Sequence, residues 1–389
     1  MSVYAPDELL RAAADGLRAG NLAWTESLCR MVLEQHADDS AAREMIEQVR
    51  LLLRQQSAAA ASNPSTTQER YLLIQAWGFG FWSDVDHVLG SILLAQITGR
   101  TPLVYWGGNS LFTADRSANA WEQFFEPVSS LTLDALERPG LSFFPPKWSA
   151  LNLRAGAVNQ NEGPGSRTGA IYLLDRPETV TVADFHVALY GLLPYVPPGH
   201  PFHGQDALAV YRTLACRYLR PTRAVLREVD EFHERHLAGS PFVAVHFRGS
   251  DKHREDKRID QINAQYFEHV DRIAGEHAEW RVFLLTDSAS AAAAFRERYG
   301  DRLVSADVER SSTDVGVHKT PGAVADGARR GREVLCDALL AARADHFIGN
   351  GGSNVSCMVL NLKQWDESQV TLLAPNGLMR HRPFLFRPR

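Results

Sequence analysis

The stretch "FVAVHFRGSDKHRED", residues 242–256, opens as a strand and ends as a cluster of charge. From Phe242 to Phe247 every residue but His246 is apolar, which suits a strand buried on both faces of a parallel sheet. Polar groups gather where the apolar run stops: His246, Arg248, Asp251 and Lys252. Toward the C-terminus the texture repeats. "WRVFLLTD" (280–287), "RLVSAD" (302–307) and "DHFIGN" (345–350) read as strands. Helical stretches alternate with them: "NAQYFEHVDRIAGEH", "SASAAAAFRERYG", "ARRGREVLCDALLAARA" and "SNVSCMVLNLKQW". Consecutive βα units with right-handed crossovers predict a Rossmann-like lobe.

Toward the N-terminus, "YLLIQAW" (71–77) is a strand and "GFGFWSD" (78–84) a glycine loop. "VDHVLGSILLAQITGR" (85–100) is a helix and "TPLVYW" (101–106) the next strand, so a second doubly wound sheet opens here. The stretch from 108 to 200 carries no clear period; within it "NEGPGSRTG" reads as a mobile loop and "LLPYVPPGHPF" as a boundary or hinge. The expected class is α/β, two Rossmann-like lobes with a cleft between them in the GT-B arrangement, plus an N-terminal helical appendage. Residues 1–56 form that appendage, 57–70 a linker, 71–232 the first lobe and 233–389 the second. Within 7–55 the apolar spacing resembles one tetratricopeptide-type helix pair, either a cover for the body or a surface for a protein partner or dimer.

Composition narrows the classes. A 45% hydrophobic, 22% charged chain folds as a globular protein, and a net charge of −5 offers no general footprint for nucleic acid. The four cysteines are far apart, so neither zinc nor a disulfide framework is indicated. No secretory signal and no apolar run of membrane-spanning length is visible, and a cytoplasmic, bacterial protein is expected.

In open α/β sheets ligands bind beyond the carboxyl ends of strands. Three strand ends of the second lobe are polar: His246, Arg248, Asp251 and Lys252; Thr286, Asp287 and Ser288; and Asn350, Gly351, Gly352, Ser353 and Asn354 before a helix. Each has a bland reading. Arg248 could pair with Asp251 in a solvated loop, Asp287 could cap the next helix, and the glycines could only turn the chain. Together they fit an anion better, because a guanidinium opposite a helix N-terminus suits a diphosphate.

At this point the sequence resembles the fucosyltransferase superfamily, which includes the α1,6-fucosyltransferases and the protein O-fucosyltransferases. "FVAVHFRGSDK", "VFLLTDS", "REVLCDALLAARADHFIGN" and "GGSNVS" are similar to its donor lobe, "GFGFWSDVDHVLGSILLAQITGRTPLVYW" to its first glycine loop and helix, and "CRYLRPTRAVLREVDEF" to its linker helix. The resemblance implies an inverting, metal-independent transfer of fucose from GDP-fucose to a hydroxyl. It implies that Arg248 contacts the diphosphate and serves catalysis. It further implies that His246, Asp287 and Ser353 line the donor site and that Asp337 lies near guanine; the strand-end reading adds Asp251 and Asn354 to the expected donor site. Two departures stand out. Gly249 replaces a second arginine, and "FWSDVD" replaces the acceptor-side loop.

On the acceptor side Asp84 is the expected base, with Ser83 and Asp86 beside it; Asp86 and His87 are expected at the helix start, as cap and dipole partner. Phe81 and Trp82 are expected to stack on a sugar. Asp84-Val-Asp86 fits the D-x-D metal pattern, yet it lies in the lobe opposite the diphosphate, so no metal or other cofactor is expected. Other readings stay open: another nucleotide sugar, UDP- or GDP-linked; a non-catalytic nucleotide-sugar or protein-binding module; and a dehydrogenase, against which "GFGFWSD" lacks the third glycine of a dinucleotide loop. The acceptor is equally open between a glycan, a lipid-linked oligosaccharide, a small glycoside and a protein side chain.

Overall fold

The computed structural model describes residues 5–18, 22–61, 69–113, 115, 117–155, 169–249, 259–275, 278–308, 310–311 and 327–374. Three N-terminal helices come first: α1 (Pro6–Arg18), α2 (Leu22–Gln35) and α3 (Ser40–Ala61). Where the sequence pattern gave one helix pair over 7–55 there are three helices, and the last runs five residues into the span read as a linker. Leu9, Ala13, Leu28, Cys29, Val32, Ala42 and Ile46 form a small core among them.

The first sheet is built from β1 (Tyr71–Gln75), β2 (Thr101–Tyr105), β3 (Phe143–Phe144) and β4 (Val180–Ala183), in the order β2-β1-β4-β3, and every pairing is parallel. Between β1 and β2 runs α4 (Phe81–Ile97), a helix buried nearly all round. It begins four residues earlier than the sequence pattern indicated. Gly80 is its extended N-cap. After β4 come α5 (Leu189–Leu192), α6 (Ala207–Tyr218) and α7 (Arg223–His236). Side chains of Asp206 and Thr222 cap α6 and α7 by accepting from Ala209 N and Val225 N. The expected boundary at 232/233 lies inside α7.

The second sheet holds β5 (Phe242–Phe247), β6 (Arg281–Thr286), β7 (Leu303–Val304), β8 (His346–Asn350) and β9 (Val370–Leu373), ordered β7-β6-β5-β8-β9, again all parallel. Helices α8 (Ile259–Asn263), α9 (Tyr266–Val270), α10 (Ala289–Tyr299), α11 (Gly327–Ala341) and α12 (Asn354–Leu362) connect its strands. The alternation read from residue 242 onward is present, and β9 is an added edge strand.

The two sheets are not separately cored. One hydrophobic cluster takes in Leu72, Ile74 and Trp106 from the first sheet region and Phe283, Phe347 and Leu335 from the second. Arg212 of α6 donates to the Leu360 carbonyl of α12 at 3.3 Å. The start of α11 lies against the backbone of Leu111 and Thr113, in the loop that leaves β2. This contact joins the loop beyond the carboxyl end of β2 to the start of the helix that leads into β8. Among the described residues no helix is long and apolar enough to cross a membrane.

Candidate functional site

β6, β5 and β8 are neighbours, so their three polar ends lie side by side. His246 and Arg248 are two apart at the end of β5 and share a face. Arg248 Nη1 donates to Asp287 Oδ2 at 2.5 Å, and Gly249 N donates to the other oxygen, Oδ1, at 3.2 Å. Asp287 is therefore not the cap of α10. That task falls to Ser288, which accepts from Ala291 N. The glycine that departs from the family pattern has a packing reason. A Cβ on Gly249 would fall 2.6 Å from Ser288 Cβ, closer than real side chains approach. No arginine fits there with this backbone.

His246 is buried, and its Nδ1 lies 2.7 Å from Ser356 Oγ of α12. Ser356 Oγ also accepts from Asn350 N at 3.0 Å, so its own proton is free for the imidazole. With the Ser356 hydroxyl donating to Nδ1, the ring carries its proton on Nε2. Burial and the neighbouring Arg248 push its pKa down to about 3, which keeps the ring neutral. Ser356 was not singled out in the sequence. A serine three residues into a helix carries no signal until the fold places it against β5.

Ser353 is the buried N-cap of α12, and its hydroxyl makes no cap bond. Asn354, half-buried, opens the helix. Gly352 N donates to Asn350 Oδ1 at 2.8 Å, which shapes the turn between β8 and α12. The first amide groups of α12 thus point from the strand end beside Arg248. Asp251 and Lys252 lie outside the described residues.

Asp337 lines a pocket of about 430 Å³ between α7, α11 and the segment after β7, together with Glu228, Phe232, Asp307, Arg332 and Glu333. Its Oδ1 is buried without a partner. Burial raises its pKa to about 7, with Glu333 adding and Arg310 opposing. Three residues beyond Val308 in this pocket wall, Ser311 N donates to the Asp287 carbonyl at 2.8 Å. The pocket and the guanidinium are therefore linked by a short piece of chain.

Across the contact between sheets, four expectations are corrected. Because α4 starts at Phe81, Phe81 and Trp82 are core residues, 3% and 2% exposed, and Phe81 is boxed by Trp106, Phe112 and Phe124. Neither presents a face to a sugar. Asp84 is fully buried; its Oδ1 accepts from Gly78 N and Phe79 N, and burial holds its pKa well above the carboxylate range. Fully buried and bonded to two loop amides, Asp84 is placed to organise the loop rather than to serve as the base. Asp86 does not cap α4 but lies 3.1 Å from His186 Nε2. His87 is no dipole partner; neutral, with its pKa pushed down to about 3, it bonds the Gln75 carbonyl and the Val187 amide. Ser83 is half-buried in the first turn of α4. His186 escaped the sequence reading, although the polar stretch after "VTVA" (180–183) obeys the strand-end rule used elsewhere.

No protein-family model and no curated protein matches the chain in sequence. Solved structures share its fold. NodZ alpha-1,6-fucosyltransferase soaked with GDP-fucose is 19% identical at a TM-score of 0.51, over 77% of this chain and 96% of that one. Selenomethionine NodZ from Bradyrhizobium is 18% identical at 0.52, over 78% and 97%. POFUT1 in complex with GDP is 16% identical at 0.50, over 79% and 100%. The chain thus has the fold of the fucosyltransferases, as its resemblance to that superfamily implied.

Proposed function

We propose that this protein is a glycosyltransferase that takes a GDP-sugar, GDP-fucose foremost, and moves the sugar to a hydroxyl with inversion and without a metal. The observation that carries the reading is the convergence, on three adjacent strand ends, of the Arg248–Asp287 pair, neutral His246 and the N-terminus of α12. Departure of a nucleoside diphosphate builds negative charge on phosphate oxygens. Arg248, oriented by Asp287, and the amides after Ser353 meet that charge with donors already in place. The Nε2–H of His246 adds a neutral donor beside them. Asp337, when ionised, offers two acceptors to the N1–H and exocyclic amine of a guanine in its pocket. The fold shared with enzymes solved with GDP supports the choice of base.

Isothermal titration with GDP and UDP, on wild type and Arg248→Ala, with and without EDTA, tests this. Micromolar GDP binding that ignores EDTA and collapses in the variant is the expected result. Preference for UDP overturns the choice of guanine. Binding with no turnover of any GDP-sugar overturns the catalytic reading in favour of a non-catalytic module.

A further inference from the structure

The carboxyl edge of the first sheet carries polar groups that the donor site does not use. Helix α4 approaches the segment after β4 so closely that a Cβ on Gly90 would lie 2.1 Å from the Val187 carbonyl oxygen. Asp86 stands one turn earlier on the same helix face. That close approach carries its Oδ2 to 3.1 Å from His186 Nε2. The carboxylate accepts from Nε2–H, so in the neutral ring Nδ1 carries the lone pair. This nitrogen is buried and has no partner, and two oxygens on the same edge share that condition, Asp84 Oδ2 and Asp184 Oδ1. Buried polar atoms left without partners on one edge call for an explanation, and outside hydroxyls would supply it. Beside them the exposed Phe79 ring stacks on Trp77 at 4.7 Å, and Trp77 meets His186 edge-on at 5.9 Å. Asp84, through Gly78 N and Phe79 N, holds this loop in place.

We infer that this edge is the acceptor subsite, that its ligand is a neutral sugar, and that His186, oriented by Asp86, is the base for the attacking hydroxyl; the inference rests on the glycosyltransferase reading above. An aromatic pair offers an apolar face to a pyranose ring. The orphaned polar atoms offer partners to its hydroxyls. Asp86 and Asp184 disfavour an anion, and Lys147 is engaged by Asp184. The other imidazole near His186 is His87, at 6.5 Å between rings, and both its nitrogens are bonded. In the step, the acceptor oxygen bonds to the anomeric carbon as the bond from that carbon to the diphosphate oxygen breaks. The electron pair leaves with GDP. The hydroxyl proton passes to His186 Nδ1, and the imidazolium formed is stabilised by the Asp86 carboxylate until solvent removes the proton.

The test measures GDP affinity, GDP release from GDP-fucose in the presence of p-nitrophenyl glycosides of common sugars, and quenching of tryptophan fluorescence by those glycosides. Variants are His186→Gln, Asp86→Asn and Phe79→Ala. GDP affinity should match wild type in all three, which also reports that they fold. His186→Gln should lower kcat about 100-fold or more and erase the acid limb of the pH–rate profile, with Asp86→Asn intermediate. Phe79→Ala, at an exposed position, should raise the glycoside KM roughly tenfold and leave kcat near wild type. GDP binding with an unchanged kcat and pH profile in His186→Gln overturns the inference and leaves the donor reading intact. Absence of GDP binding in wild type sinks the donor reading. In that case glycoside quenching lost in Phe79→Ala still supports the subsite, and no quenching overturns it.

Discussion

Replacing Asp337 by Asn should stabilise the protein and weaken its proposed ligand at once. Burial raises the Asp337 pKa from an ordinary 3.8 to about 7. A group raised in the folded state keeps a proton that the unfolded chain has already lost. Its contribution is therefore fully present below pH 4 and is lost as pH rises through 7. The gap between 3.8 and about 7 sets a ceiling of roughly 4 kcal/mol on the cost of the charged form. Asparagine carries no charge to desolvate. Asp337→Asn should melt several degrees above wild type at pH 8 and near it at pH 4. Guanine, however, needs two acceptors, and the amide offers one. Loss of a charged hydrogen bond costs about 1.5–3 kcal/mol, or about 10- to 100-fold in GDP affinity. Wild type should also bind GDP more tightly as pH rises through 7, whereas the variant should not. Melting curves across pH and GDP titrations at pH 6 and 8 check both arms. Equal melting at pH 8 together with unchanged GDP affinity would refute the reasoning, since neither the buried charge nor its use would then exist.

Four further outcomes are expected. Arg248→Lys should lower kcat about 100- to 1,000-fold, because a point charge does not replace a guanidinium held by Asp287; single-turnover kinetics with GDP-fucose measure it. Ser356→Ala should release His246 from its tautomer, read as a change in imidazole 15N shifts and a raised pKa, with a fall of about tenfold in GDP affinity. Gly90→Val should cost about 1–3 kcal/mol or more in denaturant unfolding, because its side chain meets the Val187 carbonyl. Phe81→Ala should lose about 3–5 kcal/mol of stability and not act selectively on the acceptor KM, as expected of a core ring.

The sequence by itself determined the parallel architecture and the polar strand ends of the second sheet. Apolar runs of five or six residues ending in polar clusters are a one-dimensional signal, because a doubly buried strand must stop being apolar where it leaves the sheet. That is why Arg248, His246, Asp287 and Ser353 were legible before any coordinates, while the strand order set them side by side. The tertiary structure decided which groups on the other edge are inside. Phe81, Trp82 and Asp84 read as a loop because glycines precede them; α4 in fact begins at once and turns them into the core. Asp86 and His186 are one hundred residues apart. Only the docking of α4 on the segment after β4 joins them, and no local pattern encodes that distance. The same holds for Ser356 and His246, a helix and a strand that meet because β8 lies beside β5. Local patterns report which way a side chain faces on its own element, while pairings across elements depend on packing that only the whole chain supplies.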